Sequence, residues 1–227
     1  MNSDARVGVY YCPVPADPLF HAGAAWLGRD PESGAPLVQP TLPDIAEVTA
    51  DPRLYGFHAT LKPPMRLATG RTWAALLDAV NRLAEQIAPF ALPPLAVMDV
   101  HGFLALRETV ASPPLQALAD MCVAKLDPFR AAPSDAELAR RRKSGLTPAQ
   151  EAMLLTWGYP YVFETWFFHM TLTRRLAQAE HAVWRPEAEQ YFAAALNHQR
   201  TVADLCLFTQ TGPGAPFLIA ERIPLRG

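Results

Sequence analysis

Two short segments of the chain carry residues that could perform acid–base chemistry. The frame His-x-Thr-Leu occurs as HATL at residues 58–61 and again as HMTL at residues 169–172. The chain has only 6 histidines, and its composition predicts roughly 0.04 copies of such a frame. Histidine titrates close to neutral pH, so two histidines can serve as general acid and general base. The repeated frame therefore predicts one reaction centre built from two distant segments.

The spacing within each frame suits a β-strand. Residues i and i+2 of a strand point to the same face, so His58 and Thr60 share one face, as do His169 and Thr171. If the two strands are neighbours, two imidazoles and two hydroxyls converge. One neutral histidine can then take a proton while a protonated one gives a proton to a leaving oxygen, and the hydroxyls can bind phosphate oxygens. This chemistry requires no metal, no other cofactor and no cysteine or serine nucleophile.

Further candidates for substrate binding follow from strand alternation. Lys62 continues the parity of the first frame, and Thr173 and Arg175 continue that of the second. Each could face a phosphate, although a solvated Lys62 is an equal alternative. Tyr55 faces away by strict alternation, but a bulge at Gly56 would redirect it.

A basic segment lies between the two frames. Arg130 precedes the dense run Arg140–Lys143, which is either a solvated helix face or a lid that supplies cations to a phosphorylated substrate. The nearby aromatic residues Trp157, Tyr159 and Tyr161 indicate core or cleft wall rather than a platform that stacks bases.

The predicted elements repeat in order around the frames. Motif strands are predicted at residues 55–61, where Pro63-Pro64 would end the strand, and at residues 163–172. After each frame come an amphipathic helix and a hairpin, the second helix opening at Pro186. Ser112, Ser134 and Thr147 are placed as helix N-caps. The order predicts one bilobal α+β domain over residues 1–227, with two pseudo-symmetric lobes that each contribute one frame.

Composition narrows the class of protein. Half of the residues are hydrophobic, 19% are charged and the net charge is −2, which predicts a packed globular protein with no general electrostatic case for nucleic-acid binding. The 3 cysteines lie far apart, the N-terminus lacks a signal-peptide pattern, and no apolar run reaches membrane-spanning length. We expect a soluble cytoplasmic protein that does not enter a membrane, with its oligomeric state left open.

The paired frames resemble the twin signature of the 2H phosphoesterase superfamily, the LigT-like cyclic phosphodiesterases. The segments RLYGFHATLKPP, PFRAAPSDAELARRR, WGYPYVFE and FHMTLTRRL are similar to a branch associated with bacterial phosphonate metabolism. The resemblance covers most of the chain. It implies two antiparallel sheets that line a central cleft, with the helices outside.

The resemblance also implies a reaction and its residues. By matching positions, His58 and His169 would be catalytic, and Thr60 and Thr171 would bind phosphate. The reaction would be metal-independent opening or hydrolysis of a phosphodiester, the substrate a small phosphorylated sugar or nucleotide such as a ribosyl cyclic phosphate. A non-catalytic nucleotide or RNA-end binding module is the alternative, and a metallohydrolase is disfavoured because no carboxylates or cysteines accompany the frames. Which histidine is the base stays open.

Overall fold

The computed structural model describes residues 5–143 and 145–227. The chain has an α+β fold, as predicted. The strands are β1 (Arg6–Tyr11), β2 (Ala59–Met65), β3 (Phe90–Leu92), β4 (Leu95–Val100), β5 (Phe103–Glu108), β6 (Met170–Thr171), β7 (Arg200–Val202), β8 (Asp204–Gln210) and β9 (Leu218–Pro224). The helices are α1 (Pro18–Leu27), α2 (Ile45–Val48), α3 (Ala50–Tyr55), α4 (Trp73–Ala84), α5 (Pro113–Leu126), α6 (Asp135–Arg142), α7 (Pro148–Trp157) and α8 (Gln178–Leu196).

The two motif strands are neighbours at the middle of a seven-stranded antiparallel sheet. The strand order is β4-β5-β6-β2-β1-β8-β9, and β3 and β7 form a second sheet of two strands. The two sheets that the resemblance implies are continuous here, because β4-β5-β6 and β2-β1-β8-β9 meet at the pair Ala59↔Met170. One short junction therefore sets how the two frames face each other.

The element order repeats as expected, but the strand pairing crosses between the halves of the chain. The series β2-α4-β3-β4-β5 is followed later by β6-α8-β7-β8-β9. The first hairpin, β4-β5, pairs with β6 of the second series, and β8-β9 joins β2 through β1. Each side of the sheet thus contains strands from both halves, and the duplication into two lobes stays a prediction.

The predicted bounds of the first motif strand are wrong. Residues 50–55 form α3, and β2 runs through Pro63 and Pro64 to Met65. Prolines are tolerated there because β2 pairs with β6 at its first residue only, and because the pairing with β1 is irregular beside them. Residues that lack an N–H fit a strand edge or a bulge.

Two predictions in the second half also need correction. The motif strand is Met170–Thr171 rather than residues 163–172, since residues 163–165 form a 3-10 turn. Helix α8 begins at Gln178, so Pro186 lies inside the helix and does not open it. Pro186 and Ala182 are exposed, so water can satisfy the carbonyl that the proline leaves without its helical partner.

The predicted helix caps are confirmed. The Ser112 hydroxyl accepts from the Leu115 N–H, and Ser134 and Thr147 each open a reciprocal capping box on α6 and α7. Such caps satisfy backbone donors that have no partner within the helix. Together they hold the segment between the two frames, including the basic run, in defined helices.

The core lies on the face of the sheet opposite the histidines. Ala59, Leu61, Met170 and Leu172 are fully buried in the main hydrophobic cluster, and α5 packs against β2. Strand alternation then directs Thr60 and the other polar members of the frames to the open face. The buried apolar residues of each frame thus hold its histidine and threonine in position on the open face.

Candidate active site

The register between β2 and β6 brings the two frames together. The antiparallel pair Ala59↔Met170 places His58 opposite Thr171 and Thr60 opposite His169 when the register is continued by one residue. Directly opposed residues of an antiparallel pair are roughly 5 Å apart. Each histidine therefore faces the threonine of the other frame on one surface.

Both imidazoles are held in the same way. Nδ1 of His58 lies 3.0 Å from the Gly56 carbonyl oxygen, and Nδ1 of His169 lies 3.2 Å from the Phe167 carbonyl oxygen. A carbonyl only accepts, so each Nδ1 carries the proton and donates it. The lone pair of each neutral ring is then on Nε2, and Nε2 of His58 lies 3.3 Å from the Thr60 hydroxyl oxygen.

His58 rests on an aromatic floor. The Tyr10 ring stacks on its imidazole with centroids 3.7 Å apart and planes inclined by 13°. Burial lowers the pKa of His58 to about 3, and its bond to the Gly56 carbonyl opposes this shift only in part. The ring is thus neutral at pH 7, with Nε2 able to accept a proton.

His169 has a more open setting between Phe167 and Phe103, whose ring centroids lie 4.8 and 5.8 Å from its own. It is half-buried, whereas His58 is buried. Burial lowers the pKa of His169, and the positive charge of Arg107 lowers it further. An anion bound between the histidines would favour the charged form of both rings and raise both pKa values.

The four frame residues line one open cavity of about 430 Å³. Tyr55, Thr173 and Arg175 line it as well, as predicted. Tyr55 ends α3 rather than occupying a strand, and its hydroxyl bonds the Thr171 side chain. The Thr173 hydroxyl accepts from the Leu104 N–H, which suits a role in support of the wall.

Lys62 and Arg130 do not reach this cavity, contrary to expectation. Lys62 is only 1% exposed, and its ammonium donates to the Val123 carbonyl and pairs with Asp127 at 3.5 Å. The pairing of β1 with β2 shifts register just before Lys62, which breaks the alternation on which the prediction depended. Arg130 forms a two-pronged bond with Asp127. Both cations serve a structural ion cluster behind the sheet.

Other cavity residues were missed or left open by sequence reasoning, and four of them matter for the charge and shape of the site. Arg6 and Tyr10 lie on β1, which contains no recognisable motif; the pattern Arg6-x-Gly8-x-Tyr10 on one strand face was the available signal. Arg141, from the basic run, and Tyr159 also line the cavity. The basic run is therefore neither wholly solvated nor wholly a lid, since one of its members joins the cavity wall.

Two features are absent from the described residues, 5–143 and 145–227. In this part of the chain no group of three or more His, Cys, Asp or Glu side chains is placed to hold a metal ion. Within the same ranges, no helix is both long enough and apolar enough to cross a membrane.

The fold and the cavity define an α+β protein in which two histidine–threonine pairs face each other across one cleft. Residues 60–218 match the family described as "Protein of unknown function (DUF1045)". The chain belongs to this family.

Two relatives carry the name "Ribose 1,5-bisphosphate phosphokinase PhnN". The protein from Janthinobacterium sp. (strain Marseille) is 40% identical over 235 residues, covering 100% of this chain and 52% of the relative. The protein from Laribacter hongkongensis (strain HLHK9) is 35% identical over 221 residues, covering 96% of this chain and 51% of the relative. The chain thus spans about half the length of the curated relatives it matches.

Similar solved structures include a phosphoesterase, with 13% identity and a TM-score of 0.45, and E. coli LigT complexed with 3'-AMP, with 15% identity and a TM-score of 0.44. Each alignment covers 99% of both chains.

Proposed function

We propose that this protein is a metal-independent phosphodiesterase that opens or hydrolyses a small cyclic phosphate, with His58 and His169 as the acid–base pair. One observation carries the proposal: two imidazoles with identical Nδ1 anchors lie on the same cleft as two threonines. A bound phosphate between the two imidazoles would meet a proton acceptor, a proton donor and two hydroxyls.

The reaction follows from these groups. One neutral imidazole accepts a proton from water through Nε2, and the water oxygen forms a bond to phosphorus. The bond from phosphorus to one sugar oxygen breaks, and that oxygen takes a proton from the other imidazole, which must be protonated. The hydroxyls of Thr60 and Thr171 donate to the non-bridging oxygens, where negative charge increases in the transition state.

We assign the base to His58 and the acid to His169. His58 is the more buried of the two, and burial lowers its pKa to about 3, which keeps it neutral at pH 7 before the substrate binds. His169 is half-buried, so water and bound phosphate can stabilise its imidazolium. The positive charge of Arg107 opposes that protonation and gives a way to test the assignment.

The relatives' name supports a ribose phosphate as the substrate class. Those proteins are named for a kinase of ribose 1,5-bisphosphate, and this chain matches about half of their length. The present sequence has no G-x-x-x-x-G-K-[ST] phosphate loop, a motif with which many kinases hold ATP. We therefore infer that the protein acts on a ribosyl cyclic phosphate in phosphonate metabolism, in the same series of reactions as such a kinase.

The test is turnover of ribose 1,2-cyclic phosphate, its 5-phosphorylated form and nucleoside 2′,3′-cyclic phosphates in excess chelator, with products located by phosphorus NMR. We expect His58→Asn and His169→Asn each to lower kcat by roughly 100-fold or more. His198→Asn, at an exposed position on the chain, is the matched control and should retain wild-type turnover.

Two results would overturn the proposal. One is full activity in either the His58→Asn or the His169→Asn variant with the fold intact by circular dichroism. The other is no turnover of any cyclic phosphate together with tight, steeply salt-dependent binding of RNA ends, which would indicate a binding module instead.

A further inference from the structure

The floor of the cavity continues from the histidines to a second cationic region. Arg6, Gly8 and Tyr10 alternate on the same face of β1, whose register with β8 is regular. A Cβ atom at Gly8 would lie 2.5 Å from the Tyr10 hydroxyl oxygen, so the Tyr10 ring lies along the strand over Gly8. One end of the floor is thus the imidazole of His58 and the other is Arg6.

Arg6 is held by a neutral side chain. Its Nε and Nη2 both donate to the Gln210 side-chain carbonyl, at 2.8 and 2.6 Å, and among the described residues no carboxylate lies within ion-pairing distance of it. Some arginines of the protein pair with acids, as Arg200 does with Asp17 and Arg222 with Asp204, whereas the buried Arg29 donates to the backbone carbonyls of Arg53 and Leu54. A neutral amide positions the Arg6 guanidinium without cancelling its charge.

A second guanidinium reaches the same region from α6. Arg141 lies over the Tyr159 ring, with Cζ 4.6 Å from the ring centroid, and both residues line the cavity with Arg6. Burial is the largest cause that lowers the pKa of Arg6, and the charge of Arg141 is close enough to lower it further. Asp51, the carboxylate in the cavity lining, is on α3 beside Tyr55. Two positive charges thus lie beside each other at this end.

We propose that Arg6 and Arg141 bind a second phosphate group of the substrate, a phosphomonoester distant from the phosphodiester that the histidines cleave. The substrate class is then a sugar cyclic phosphate that also carries a terminal phosphate. Guanidinium groups bind phosphate through paired, charge-assisted hydrogen bonds, and Tyr159 fixes the orientation of Arg141. This inference rests on the proposed function for the reaction, but the binding of the phosphomonoester can be tested separately.

The experiment compares ribose 1,2-cyclic phosphate with the same compound carrying a 5-phosphate. In the wild-type protein, kcat/KM should favour the phosphorylated compound by roughly 10- to 100-fold, the range for charge-assisted bonds to one group. Arg6→Gln and Arg141→Gln should each bring this ratio towards one. Arg185→Gln removes the same charge from the exposed pair with Glu189 and should keep the wild-type ratio.

A binding measurement separates this inference from the proposed function. Calorimetric titration with ribose 5-phosphate, which contains no phosphodiester, should give a Kd that Arg6→Gln and Arg141→Gln raise by roughly tenfold or more. If neither cyclic compound is turned over but this dependence holds, the reaction is wrong and the phosphate subsite stands. Any of three results would overturn the subsite. The first is a wild-type kcat/KM ratio of one between the two cyclic compounds, and the second is a ratio that stays at the wild-type value in both variants. The third is a Kd for ribose 5-phosphate that neither substitution changes.

Discussion

At the scale of single residues, the site depends on how each imidazole is oriented. A carbonyl two residues earlier in the chain accepts from Nδ1 in both frames, so the tautomer follows from local backbone geometry. Burial then lowers the pKa of both His58 and His169. Both rings therefore favour the neutral form, and in the proposed reaction the acid gains its proton together with the anionic substrate.

The pH dependence of turnover should report the protonation state of the general acid. The general acid must be protonated, so the rate falls as pH rises through its pKa; kcat/KM reports the free enzyme and kcat reports the complex. Bound phosphate raises the pKa of His169. We therefore expect the alkaline limb of kcat to lie at higher pH than that of kcat/KM, with both measured from about pH 4 to 9 at constant ionic strength.

Arg107→Gln tests which histidine is the acid and which is the base. Loss of the positive charge raises the pKa of His169, so the alkaline limb of kcat/KM moves to higher pH if His169 is the acid. Movement of the acidic limb instead would mean that His169 is the base. Coincident alkaline limbs for kcat and kcat/KM in the wild-type protein would contradict the prediction.

At the scale of elements, β1 contributes the floor of the cavity that both histidines line. Its buried face belongs to the main core through Val7 and Val9, while its other face carries Arg6, Gly8 and Tyr10. Gly8 is required because it has no side chain, since the Tyr10 ring occupies the space where a Cβ atom would lie. Its backbone conformation does not require a glycine. The strand thus couples the phosphate region to His58 through one ring.

Gly8→Ala tests that coupling. The new methyl group would lie 2.4 Å from Tyr10 Cζ, so the ring must shift off His58. We expect the free energy of unfolding to fall by about 1–3 kcal/mol and kcat to fall by roughly tenfold or more. Both are measured by denaturant titration and steady-state kinetics.

Gly212→Ala is the matched control, since a Cβ atom there meets nothing within 4 Å. It should leave both quantities near their wild-type values. If Gly8→Ala lowers stability while kcat stays unchanged, the Tyr10 ring does not position His58.

At the scale of the whole molecule, two distant frames must keep their register across one short strand junction. Two tryptophans reinforce it: Trp166 donates its indole N–H to the Thr60 carbonyl at 2.9 Å, and Trp26 donates to the Leu172 carbonyl at 3.0 Å. Each bond joins a motif strand to a segment far away in sequence. These bonds supply some of the rigidity that the two-residue strand β6 lacks.

Trp166→Phe should loosen the junction while the ring volume is largely kept. Loss of one hydrogen bond lowers the free energy of unfolding by about 1 kcal/mol, and a small displacement of one frame from the other lowers kcat by roughly tenfold. Trp157→Phe is the control, because Trp157 packs on Phe163 rather than on a motif strand. An equal kinetic loss in the two variants would remove Trp166 from this role.

The placement of the candidate residues on one face was predictable from local sequence. The residue types and the two-residue period of a strand placed the histidines and threonines on one face, and Ala59 and Met170 on the other. The caps at Ser112, Ser134 and Thr147 were also predictable. Such inferences succeed because alternation and capping depend on residues that are close in sequence.

Only the tertiary structure decided which side chains lie together. The register of β2 on β6 comes from long-range packing, and a bulge turned Lys62 away from the cleft. Arg6 and Arg141 reach the cavity from segments that show no phosphate-binding motif. A strand does not encode its partner or its irregularities, because these depend on side-chain packing summed over the whole core. The sequence by itself therefore determined the candidate acid–base groups, and the tertiary structure decided which residues surround them.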